Sequence, residues 1–82
     1  MSIMIEERVD KVVSRVLVIE TENLRPEDNL IHDLGADSLD MAELVLSLEE
    51  EFDIFVDDME VENIHTISEI VEYVKINISP NI

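Results

Sequence analysis

The chain has 82 residues, 46% of them hydrophobic, with 21 acids against five bases, no cysteine and a formal net charge of −16. That length allows one small core, and the lack of cysteine excludes a disulfide framework and a thiolate metal site. The acidity excludes nucleic acid as a partner, because phosphate binding needs cations, and stable membrane insertion is excluded because no apolar run could span a bilayer.

The first residues, MSIMIEERVDKVV, carry acids at positions 6 and 7 and no cleavable hydrophobic region. A single cytoplasmic domain over 1–82, monomeric, is the expectation. Apolar positions Ile5, Val9, Val12, Val16 and Ile19, with Val13 and Leu17 beside them, recur in steps of three and four. They predict a helix within residues 3–20 that buries one stripe, although VVSRVLVI is rich in β-branched residues of modest helix propensity.

Residues 21–37, TENLRPEDNLIHDLGAD, read as a long loop punctuated by Pro26 and Gly35. Leu24, Leu30, Ile31 and Leu34 are the candidates to pin it. A second helix is predicted over 38–52 with Asp37 as its N-cap, and a short third helix over 57–63 with Asp57 as cap. The apolar DIFV between them is expected to tuck into the core. A last helix over 67–77 has the stripe Ile67, Ile70, Val71, Val74 and a capping box of Thr66 and Glu69. The tail NISPNI should fray. The expected fold class is all-α, a small four-helix bundle with a long first loop.

The second helix carries the most information. At 100° per residue, with Asp40 at zero, Met41, Leu44, Val45, Leu48 and Phe52 fall between about 40° and 140°, the core face. Asp40, Glu43, Ser47, Glu50 and Glu51 form an acidic stripe between about 280° and 20°. Leu39, Ala42 and Leu46 make a second apolar strip at about 200° to 260°. Buried, that strip would mean a broader bundle contact; exposed, it would be a docking patch, with apolar contacts giving affinity and the acids giving orientation. Between Pro26 and Val74 there is no Lys or Arg, yet sixteen acids fall there. Basic partner proteins are favoured, since a one-signed field raises encounter rates by roughly 10- to 1000-fold.

Ser38 stands at the start of this helix. A nucleophilic serine needs an adjacent base and an oxyanion site. The only histidines are His32 and His65, and neither has an evident orienting group. What the position offers instead is a hydroxyl at a helix N-terminus, where free N–H groups suit an attached phosphate. That effect is worth only about 0.3–1 kcal/mol, and Asp37 and Asp40 oppose it. Selection of this serine must come from an enzyme that reads the surrounding surface.

The stretch Asp33-Leu34-Gly35-Ala36-Asp37-Ser38-Leu39-Asp40 resembles the phosphopantetheine attachment motif of acyl carrier proteins. The likeness runs on through Glu43-Leu44, Leu48 to Asp53 and Thr66-Ile67, and covers nearly the whole chain. It implies that Ser38, flanked by Asp37 and Leu39, receives 4′-phosphopantetheine from coenzyme A through a separate holo-synthase. It implies a non-enzymatic carrier of acyl thioesters between the enzymes of fatty-acid synthesis. Asp37, Leu39, Asp40, Glu43, Leu46, Glu49, Glu50, Val56 and Asp58 match positions that meet basic patches on partners. Leu48, Phe52, Ile64 and Ile70 would line the pocket for the acyl chain, whose burial contributes roughly 0.8 kcal/mol per CH₂. The family usually has a proline just before the aspartate that opens the third helix; here Val56 precedes Asp57.

Two alternatives stand beside the fatty-acid carrier. One is a specialised carrier for polyketide, peptidyl or aminoacyl groups. The other is an acidic scaffold or divalent-cation module. No calcium-loop pattern is present, but clustered Glu49, Glu50, Asp53, Asp57 and Asp58 could bind Ca²⁺ or Mg²⁺ weakly.

Overall fold

The computed structural model describes residues 4–78. Helices α1 (Ile5–Leu17), α2 (Ser38–Phe52), α3 (Asp58–Val61) and α4 (Ile67–Asn77) follow in order, with one 3₁₀ turn at Thr21–Asn23 in the first connection. Among the described residues there is no strand, only an isolated antiparallel bridge between Asn29 and Thr66. Among the described residues no helix is long and apolar enough to cross a membrane. The expected fraying of the tail falls largely on residues 79–82, outside the described residues.

The stripe of α1 behaves as its spacing predicts. Val9, Val12 and Val13 are fully buried, and Ile5, Val16 and Leu17 pack at the edge of the core. The helix ends sooner than the apolar pattern does. Val18 adopts the left-handed conformation (φ 57°, ψ 53°), and the Ile19 N–H donates to the Ser14 carbonyl at 3.1 Å. Ile19 therefore lies outside the helix. A left-handed conformation costs a non-glycine residue roughly 1–2 kcal/mol, so this terminus is set by the docking of the following loop and not by local preference.

Arg8 fastens α1 to the end of α2. Its Nε donates to Glu51 Oε2 at 2.9 Å and its Nη2 to the Glu51 carbonyl at 2.8 Å. The guanidinium also sits 4.5 Å from the centre of the Phe52 ring. A cation at a helix C-terminus, bonded to a free carbonyl and stacked on an aromatic face, does more than a lone surface pair. Lys75 Nζ meets Glu6 Oε2 at 3.2 Å and ties α4 to α1.

The first connection is not loose. Asn29 Oδ1 accepts from Ile31 N and His32 N at 3.0 and 2.9 Å. Asp33 Oδ2 accepts from Asn29 N at 2.7 Å. The loop then supplies carbonyls to the free N–H groups at the start of α4: Ser68 N donates to Pro26 at 2.8 Å and Ile67 N to Asp28 at 3.3 Å. Leu30 is fully buried, with Leu24 and Leu34 packed at the core edge. Ile31 is not a pin, as expected from the sequence, but 51% exposed.

The capping box of α4 forms as its residues predict. Glu69 N donates to Thr66 Oγ1 at 3.1 Å, and the Glu69 carboxylate accepts from His65 N and Thr66 N at 2.7 and 3.0 Å. Those backbone N–H groups, His65 first, hold the Glu69 carboxyl below its ordinary value. Asp10 goes the other way: partial burial, then the charges of Glu6 and Glu7, push it up. The signs follow from linkage. The stability contributed by Glu69 is present above its unfolded pKa and lost as pH falls through its lowered folded pKa. Asp10 favours the fold below its unfolded pKa, and that contribution is lost as pH rises through its raised folded pKa. Carboxylate titration by NMR should place Glu69 below and Asp10 above the usual range. Thr66→Ala should cost about 1 kcal/mol, read as a lower unfolding midpoint.

The DIFV segment divides by residue. Val56 is buried, Ile54 half-buried, and Phe55 is 76% exposed. Helix α3 is one short turn, shorter than its pattern suggested. It opens on Asp58, with Asp57 as N-cap accepting from Met59 N at 2.9 Å. The residue just ahead of the helix is thus Asp57, and Val56 lies one step further back, in the core.

Candidate functional site

Two features place Ser38 at the surface. Gly35 takes a positive φ of 77°, in the left-handed region that suits glycine. Its N–H donates to the Ile31 carbonyl at 3.1 Å, and Ala36 N donates to Leu30 at 2.9 Å. Ala36 is buried, so the chain turns outward immediately after it. Asp37 then caps α2: its Oδ1 accepts from Asp40 N at 2.8 Å, while Asp40 Oδ2 accepts from Asp37 N at 3.2 Å. The sequence identifies Asp37 as the cap; the reciprocal role of Asp40 completes a box in which aspartate stands where glutamate is usual.

Ser38 is the first residue of α2 and is exposed. Among the described residues its hydroxyl has no hydrogen-bond partner, and neither histidine is bonded to it. His32 is exposed on the loop. His65 Nδ1 lies 3.7 Å from Glu69 Oε1. His65 lines the same cleft as Ser38 but makes no hydrogen bond to it among the described residues.

The strip Leu39, Ala42, Leu46 is outside the core. Leu39 is 70% and Leu46 60% exposed, which decides between the buried and exposed alternatives. Glu43 and Glu50 flank it, exposed. Asp37 and Asp58 are exposed as well. Three of the acids expected to face partners are already engaged: Asp37 and Asp40 with each other in the capping box, and Glu49, whose Oε2 accepts from Val56 N at 2.9 Å. Val56 is only 4% exposed, set back from the outer surface.

A cleft of about 1040 Å³ opens beside Ser38, between α2 and the 55–65 segment. Met41, Val45, Leu46, Val56 and Ile64 give it apolar walls; Asp37, Glu49, Asp57, Asp58 and Glu62 rim it. Behind it lies an interior void of about 10 Å³ lined by Leu44, Leu48, Ile70, Tyr73 and Val74 among others. A void that small holds at most one water. Of the four residues expected around an acyl chain, Leu48 and Ile70 line the interior void and Ile64 lines both spaces. Phe52 lines neither: it is turned toward α1, beneath Arg8. The periodicity of α2 put Phe52 on the core face without telling which neighbour it meets there.

The acidic cluster after α2 does not converge. Among the described residues, no group of three His, Cys, Asp or Glu side chains could hold a metal ion. Among the described residues, the ion pairs Arg8–Glu51 and Lys75–Glu6 and the contact of His65 with Glu69 involve neither Ser38 nor the acids of this cluster.

The exposed hydroxyl without partners, the turn that presents it and the adjoining apolar cleft fit the tethering of a long flexible group, and comparison with known proteins agrees. Residues 7–74 match the family described as phosphopantetheine attachment site. The fold matches a solved structure, provisionally described as an acyl carrier protein, from Mycobacterium tuberculosis. The TM-score is 0.83 at 30% sequence identity, over 88% of this chain and 96% of that one.

Proposed function

The chain belongs to the phosphopantetheine attachment site family, and on that premise we propose that Ser38 is the residue that bears the arm in a carrier serving fatty-acid synthesis. Carriers of this kind hold a covalent 4′-phosphopantetheine, whose terminal thiol takes acyl groups as thioesters. The observation that carries the assignment is the exposed, unbonded hydroxyl of Ser38 at the mouth of a large apolar cleft.

Loading forms a bond from Ser38 Oγ to phosphorus as the diphosphate link of coenzyme A breaks. The nucleotide half leaves and the hydroxyl proton goes to a base of the transferase. In this reading the domain, a single unit over 1–82, acts as cargo platform and not as enzyme. Asp37 and Asp40 close a capping box around the first turn of α2, where Ser38 stands. The cleft offers apolar surface to the cargo at the point of attachment. A cytoplasmic setting and a monomeric state complete this reading.

Intact mass after incubation with coenzyme A, Mg²⁺ and a phosphopantetheinyl transferase of proven activity tests it. A gain of one arm is expected; an unchanged mass would contradict the assignment of the modification to this chain.

Partners are read as fatty-acid synthesis enzymes and a holo-synthase with basic docking patches. Leu39 and Leu46 would supply contact area, and Glu43 and Glu50 the steering field. Both acids are exposed and free of the capping box, so their reversal leaves the helix start intact. Glu43→Lys with Glu50→Lys should slow loading severalfold at low ionic strength and much less near 1 M salt, where the Debye length is about 3 Å. Equal slowing at both salt concentrations would mean that contact, not charge, governs docking. The acidic block after Leu48 favours the fatty-acid pathway over polyketide or peptidyl pathways. Transfer of malonyl and fatty acyl groups, but not aminoacyl groups, onto the loaded protein by the corresponding transferases is the expected distinction.

A further inference from the structure

The cleft beside Ser38 and the interior void share one wall, built from Met41, Val45, Val56, Val61 and Ile64. Four of these sit on helices or pack behind one. Val56 belongs to the irregular strap that joins α2 to α3, so its position depends on what fastens that strap. Three bonds hold residues 54–56 of the strap among the described residues. Ile54 N donates to the Glu49 carbonyl at 3.2 Å, closing the end of α2. Tyr73 Oη donates to the Phe55 carbonyl at 3.3 Å. The third is the bond from Val56 N to Glu49 Oε2, at 2.9 Å and partly buried.

That third bond is the one that acts directly on the wall. It links α2 to the strap at Val56, the one strap residue that touches both cavities. A hydrogen bond to a carboxylate is stronger than one between neutral groups, and a buried N–H left without a partner is costly. Glu49 lines the cleft, is half-buried, and forms none of the ionic contacts found among the described residues.

We infer that Glu49 controls passage from the cleft to the interior: its carboxylate holds Val56 in the wall, and an acyl chain reaches Leu48 and Ile70 when that bond opens. The inference rests on the reading that Ser38 carries the acyl-bearing arm, but the bond itself can be tested without any arm.

Amide hydrogen exchange of Val56 in the unloaded protein is the first measurement. Glu49→Ala should speed it about 10-fold, the loss of one charge-assisted bond. Glu49→Gln, which keeps an oxygen acceptor but not its charge, should fall between wild type and Glu49→Ala. Tyr73→Phe, which removes only the neutral tie at Phe55, should have a smaller effect at Val56. The second measurement is the methyl NMR spectrum of Leu48 and Ile70 after loading with a medium-length acyl chain. The fraction of molecules with shifted methyl signals should be larger in Glu49→Ala than in wild type, with Glu49→Gln in between. An unaltered Val56 exchange rate in Glu49→Ala would overturn the inference. So would faster exchange with no change in the shifted fraction. A wild-type protein whose mass fails to increase on loading would instead contradict the role given to Ser38, leaving the exchange result to stand on its own.

Discussion

Ser38→Ala is expected to abolish covalent loading completely while leaving the fold unchanged. The side chain is exposed, bonds to nothing among the described residues, and follows the cap instead of being it. Surface substitutions of that kind shift stability by no more than about 0.5 kcal/mol. Thermal unfolding and the NMR spectrum of the variant should therefore match those of the wild type, apart from signals next to residue 38. Asp37→Ala supplies the contrast. It removes the cap of α2, should cost about 1 kcal/mol, and keeps the hydroxyl. Its loading should be slower but present. A Ser38→Ala protein that still gains the arm would place the attachment elsewhere, and one that unfolds would show that the hydroxyl has a structural role that these contacts do not account for.

The second large effect is on stability. Leu44 is 1% exposed and lies in the core cluster with Val9, Val12 and Val13 of α1 and Ile70 and Val74 of α4. Truncating a buried leucine to alanine costs about 2–5 kcal/mol, and each kcal/mol lowers the unfolding midpoint by about 4–8 °C in a domain of this size. Small domains have little to spare, since total stability is roughly 0.05–0.15 kcal/mol per residue. Here a formal net charge of −16 already opposes compaction. Leu44→Ala should therefore be largely unfolded at low salt and partly recovered by added salt, which screens the repulsion. Circular dichroism across a salt series measures this. A midpoint within a degree of wild type would mean that α2 can settle onto α1 without that side chain.

The parts of the fold legible in the sequence were those with periodicity or a capping pattern. The buried stripes of α1 and α4, the start of α2 at Asp37 and the box of Thr66 with Glu69 all follow from residue spacing. The exposed Leu39 and Leu46 were visible as a second strip, although exposure itself was not. The misses are tertiary. Nothing local marks Val18 as the end of α1, because no glycine or asparagine stands there; the turn is imposed from outside. Ile31 looked like a core residue beside Leu30, but Asn29 turns the backbone so that only Leu30 faces inward.

Glu49 is the instructive case at the site: the resemblance placed it on the partner surface, but its carboxylate accepts from Val56 N. On the helical wheel it falls at about 180°, away from the acidic stripe and beside Ala42 and Val45. That isolation was a signal that its carboxylate has a different task, but its partner is a backbone N–H seven residues away, which no side-chain pattern encodes. Phe52 illustrates the opposite case. Its burial was predictable, yet the choice between lining a pocket and lying under Arg8 depends on how α1 crosses α2. Tyr73 and Arg8 likewise carry no local mark, since each acts on a segment far along the chain.

The account depends on one hydroxyl being a point of attachment. Digestion of the loaded wild-type protein and fragmentation of the peptide spanning residues 34–53 test that most directly. The account predicts a phosphopantetheine mass on Ser38 and none on Ser47 or elsewhere. An arm on any other side chain, or a fragment that remains unmodified in a protein whose total mass has increased, would contradict it.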